Sequence, residues 1–112
     1  MRSVVIAENL FMGHKVRRLK SKIEKSLRTN KGMADIFFII LPRHGEDLLE
    51  IVHSSVLMQS YYEFYPPVIV GIAKGKSETM VLLQKMVTTI LKDTGGYDFK
   101  SFFKYDKEKL CL

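Results

Sequence analysis

Hydrophobic and polar positions alternate along this chain in blocks that predict short strands separated by helices. Ala34–Leu41 (ADIFFIIL) is an apolar run rich in Ile and Phe, bounded by Gly32 and Pro42. A run of that length with β-favouring residues reads as a fully buried strand rather than a helix. A polar turn at Arg43–Glu46 leads into Leu48–His53 (LLEIVH), which predicts the second arm of an antiparallel hairpin. Val68–Ala73 (VIVGIA) is the third strand, and Ser3–Ala7 (SVVIA) reads as a short edge strand or an N-terminal arm. Helical spacing appears twice. Val16, Leu19, Ile23 and Leu27 recur every three or four residues, predicting a helix over His14–Thr29 with one narrow apolar stripe. Ser77–Thr94 predicts a longer helix, with Ser77 as N-cap, Glu78 in the first turn and Gly95-Gly96 as the stop. Its expected inward stripe is Met80, Leu83, Val87, Ile90 and Leu91. Ser54 or Ser55 is expected to cap a short helix from Val56 to about Tyr62, ended by Pro66-Pro67.

These elements predict an α+β fold in the order (β)-α-β-β-α-β-α. Three or four strands form a small open mixed sheet, with the helices packed on one face. If Ser3–Ala7 joins as a fourth strand, the expected arrangement is a ferredoxin-like sandwich. Residues 1–13 are the arm or edge strand, and 14–112 form a single domain with an aromatic C-terminal tail. The 112-residue length and the 46% hydrophobic, 27% charged composition fit one globular core and exclude disorder. No apolar run approaches the length of a membrane span, and the apolar stretch before Glu8 is too short for a secretory signal. With a single cysteine, Cys111, the chain has no internal disulfide to make. The expectation is a soluble cytoplasmic domain.

Charge changes the picture more than composition does. The net charge is +6, but Lys15, Arg17, Arg18, Lys20, Lys22, Lys25, Arg28 and Lys31 fall together with one acid, Glu24. That segment carries +7, so the rest of the chain sums to −1. A helix this basic suits contact with nucleic-acid phosphates, and its stripe is too narrow, with neither Trp nor Phe, for a membrane surface.

A second candidate is Lys74-Gly75-Lys76-Ser77, where a strand hands over to a helix N-terminus and two lysines flank the turn. It resembles the end of a Walker A loop, but Val70 stands where the first glycine belongs, so the loop is one residue short of the phosphate cradle. What remains is a weaker site for a small anionic ligand. Tyr61, Tyr62, Phe64 and Tyr65 form an aromatic knot suited to capping the core or to an interface, including one between copies of the chain. His44 and His53 lie near Glu46, Asp47 and Glu50, yet no catalytic constellation, metal-ligand spacing or cofactor motif accompanies them. The expected class is a non-enzymatic binding or regulatory module.

Three stretches in order, LLEIVHSSVLMQSYY, VIVGIAKGKSE and KDTGGYDF, resemble a group of small, uncharacterised intracellular proteins of Gram-positive bacteria. The resemblance covers roughly residues 34–103. Members of that group also tend to carry a basic segment ahead of the first strand. The resemblance implies a small intracellular bacterial domain and brings no catalytic residue or cofactor with it.

Overall fold

The computed structural model describes residues 5–29, 31–41, 49–58, 67–96 and 99–103. In chain order these form β1 (Val5–Met12), a 3-10 helix (His14–Leu19), α1 (Lys20–Arg28), β2 (Ile36–Leu41), β3 (Glu50–His53), α2 (Ser54–Leu57), β4 (Val68–Lys74), α3 (Lys76–Thr94) and α4 (Phe99–Phe102). The strands build one four-stranded mixed sheet in the order β1-β4-β2-β3. β2 pairs antiparallel with both β3 and β4, while β1 runs parallel to β4 at the edge. The chain is thus a small α+β fold with Ile36–Leu41 of the apolar ADIFFIIL run in a central strand; Ala34 and Asp35 form the turn before it, Asp35 with φ 60°.

Helices cover both faces of the sheet, not one. Along β2, Ile36, Phe38 and Ile40 join Val16, Ile23 and Leu27 on one side. Ile39 and Leu41 meet Leu82, Met86, Ile90, Phe99 and Phe103 on the other. A strand apolar at successive positions exposes oil on any uncovered face, so both faces need a helix. The ferredoxin-like arrangement is therefore not the one adopted, and the parallel β1–β4 pair separates this sheet from that antiparallel one.

Four local expectations shift. The first strand runs on to Met12, which makes residues 5–12 an edge strand and not an arm. The predicted helix over His14–Thr29 divides at Leu19 into a 3-10 segment and α1, and its stripe is the predicted one: Val16, Ile23 and Leu27 are buried and Leu19 is partly so. In α2 the N-cap is His53, whose Nδ1 accepts the Ser55 N–H at 3.1 Å. Ser54 instead lies buried and accepts the Met33 N–H at 2.8 Å, tying the 31–33 loop to α2. In α3 the N-cap is Gly75 rather than Ser77, and the inward stripe is Thr79, Leu82, Met86 and Ile90. Of the expected stripe only Ile90 is buried; Leu83 and Val87 are half-buried and Met80 is 57% exposed. The helix carries two apolar stripes, and its starting geometry decides which one meets the sheet.

Candidate functional site

The basic segment presents its charge outward. Lys15, Arg17, Arg18, Lys20, Lys22, Lys25, Arg28 and Lys31 are all exposed. Val16, Ile23 and Leu27 point the other way, each at most 1% exposed, into the core shared with Phe38 and Ile69. Ser26, also buried, satisfies its hydroxyl by donating to the Ile23 carbonyl at 2.9 Å. The apolar side of α1 is thus fully used in packing. The side chains left in water are nearly all cationic, and among the described residues none of them pairs with a carboxylate.

A second constellation sits at the carboxyl ends of β1 and β4. These strands are parallel neighbours, yet the helices that follow them diverge: the 3-10 helix and α1 go to one face and α3 to the other. Such a switch point is where open α/β sheets place ligands. Here the chain fills it with its own carboxylate. Glu78, in the first turn of α3, accepts the Lys74 N–H through Oε2 and the Lys15 N–H through Oε1, both at 2.6 Å. Gly13 makes this approach feasible, because a Cβ there would stand 2.6 Å from the Glu78 carboxyl carbon. Gly75 turns the chain into α3 with φ 81°, a conformation that favours glycine, and its N–H donates to the Asp35 carbonyl at 2.7 Å. Of the expected anion-site residues, Lys74, Lys76 and Ser77 are exposed. The Lys74 N–H is taken by Glu78 and the Gly75 N–H by the Asp35 carbonyl.

The remaining candidates do not converge. His53 packs edge-on against Phe37, ring centroids 5.1 Å apart, and its Nδ1 also lies 2.8 Å from Ser55 Oγ. With Nδ1 accepting a backbone N–H, the neutral ring carries its proton on Nε2. Its role is a cap and a cross-strand contact. His44, the aromatic knot at Tyr61, Tyr62, Phe64 and Tyr65, and Cys111 lie outside the described residues. Among the described residues no group of His, Cys, Asp and Glu is placed to hold a metal, and no helix is long and apolar enough to cross a membrane.

Two contacts escaped the sequence reading. The Glu78 bridge has a local signal, since Gly75-x-x-Glu78 matches the spacing of a capping box with glycine at the cap. The acid reaches one residue further back than a capping box does, and across to the 3-10 helix as well. Asn9, whose Nδ2 donates to the Phe102 carbonyl at 3.0 Å, had no signal, because the partner lies 93 residues away. Comparison with protein-family models, curated proteins and solved structures finds no match to this chain.

Proposed function

We propose that this chain is a non-enzymatic module that binds nucleic acid through its phosphate backbone, using the exposed cations of the 3-10 helix and α1. One observation carries the reading: a +7 segment is anchored by the buried side chains of Val16, Ile23 and Leu27 while all eight of its cations stand in water. Lysines and arginines so held displace condensed counterions from a polyanion, and the entropy of their release drives association. Such binding tolerates sequence, since phosphates carry no base information. The alternative, a small anionic ligand at Lys74–Ser77, is disfavoured by the Glu78 carboxylate already in the crevice.

The test is fluorescence anisotropy with labelled duplex DNA and single-stranded RNA, comparing the chain with an Arg17→Glu/Arg18→Glu/Lys22→Glu variant. All three side chains are exposed, so no core contact is lost in the variant, and its far-UV circular dichroism and Tm should match the parent's. Retention by the parent and its loss in the variant supports the proposal. Equal retention by both sinks it.

A further inference from the structure

We propose that a cavity between α1 and the edge strand β1 binds a small apolar amine. The cavity measures about 310 Å³, at the small end of ligand pockets. Its origin lies in the register of β1. Ile6 pairs with Ile69 and Phe11 with Gly71, so Ala7–Leu10 stand opposite Val70 alone. The extra residues bow out of the ladder, and the hydrogen bond from Asn9 to the Phe102 carbonyl holds the bow in place. Bulges at sheet edges re-aim side chains and recur beside binding sites.

The walls specify the ligand. Ile6, Leu10 and Met12 of β1 supply the accessible wall, above a closed floor of Ile23, Leu27 and Ile72. All are aliphatic or thioether side chains, so they receive a hydrocarbon body. The lining also includes Glu8 and Lys20, both exposed, and the half-buried Glu24, two carboxylates against one ammonium. Among the described residues neither carboxylate is in an ion pair or hydrogen bond. Glu24 is the one acid within the basic segment, and it sits on the cavity face of α1 with Lys20, Ile23 and Leu27, as 3.6 residues per turn require. Negative charge is thus concentrated at this opening in an otherwise cationic neighbourhood, and it selects a cationic head group over the anions that the outer face of α1 attracts. This site stands independently of the nucleic-acid reading.

The probe is 2-phenylethylamine, titrated into the full chain by calorimetry and followed by ¹³C-methyl NMR. Binding at one site is expected with Kd between roughly 10 μM and 1 mM, the range open to about nine heavy atoms. The shifted methyls are those of Ile6, Leu10 and Met12. A Glu8→Gln/Glu24→Gln variant keeps both side-chain volumes and should bind at least about tenfold more weakly, because a charged hydrogen-bond partner is lost at each position. Phenylacetate and 2-phenylethanol should not bind. Phenylalanine is the arm that separates sources of the ammonium: if it binds as well as the amine and loses that affinity in Lys20→Met, the site takes amino acids as well as simple amines. No heat and no shift up to about 10 mM amine, equal binding of the neutral alcohol, or indifference to the double variant would each overturn the proposal.

Discussion

Replacing Glu78 by alanine removes the acceptor for two backbone N–H groups, Lys15 and Lys74, each held at 2.6 Å. A hydrogen bond to a charged group contributes about 1.5–3 kcal/mol when desolvated. Glu78 is half-buried, so water can replace part of each bond in the variant. The acid also lies in the first turn of the 19-residue α3, where it interacts with the helix dipole for about 0.3–1 kcal/mol. Together these predict a loss of about 2 kcal/mol. In urea unfolding followed by far-UV circular dichroism, that loss lowers the midpoint by about 1 M, taking a slope of roughly 2 kcal/mol per M. Glu78→Gln retains one carbonyl oxygen and so one acceptor, and should lose about half as much. Sulfate offers a further readout. It stabilises any folded chain by exclusion from the surface, but in Glu78→Ala it can also take the emptied place between the two N–H groups. Sulfate should therefore stabilise the variant more than the parent. A Glu78→Ala midpoint within about 0.2 M of the parent would refute the claim that this carboxylate closes the crevice.

Two further substitutions test the packing around the sheet. Gly71→Ala places a Cβ 3.1 Å from both Ile39 Cβ and Met86 Sδ; overpacking there should cost about 1–3 kcal/mol, seen as a drop of roughly 4–12 °C in Tm, and an unchanged Tm would show that this core is looser than described. Ser54→Ala leaves the Met33 N–H without its acceptor, so the Met33 amide should exchange with solvent at least about fivefold faster, with a stability loss of about 1–2 kcal/mol; unaltered exchange at Met33 would contradict the tie between the 31–33 loop and α2.

Much of the fold was legible because its strands and helices are apolar in the right period. Val16, Leu19, Ile23 and Leu27 repeat at helical spacing, and that stripe is the one packed on the sheet. The run IFFIIL is apolar on both sides, which in retrospect already demands cover on both faces; assigning the helices to one face overlooked that requirement. α3 could not be oriented from its sequence. Met80, Leu83 and Val87 compete with Leu82 and Met86 as a stripe, and the choice falls to contacts distant in sequence, Glu78 to Lys15 and Gly75 to Asp35. Strand order was hidden for the same reason, since the β1–β4 pairing joins residues some 60 apart and has no local signature. The charge of the candidate interface was fully legible. That its cations stand free of carboxylate partners among the described residues required the structure.

The central claim concerns the face of the 3-10 helix and α1, and the salt dependence of binding addresses it most directly. About half of the seven cations on these two helices can meet one duplex at a time, so some four phosphate contacts predict a slope of log Kobs against log salt near −3.6. Affinity for duplex DNA should then fall roughly 150-fold between about 50 and 200 mM salt. In the Arg17→Glu/Arg18→Glu/Lys22→Glu variant the slope should shrink to about −1 or flatter, with weak binding even at low salt. A slope unaltered by those substitutions, or no binding by the parent chain at about 50 mM salt, would contradict the account.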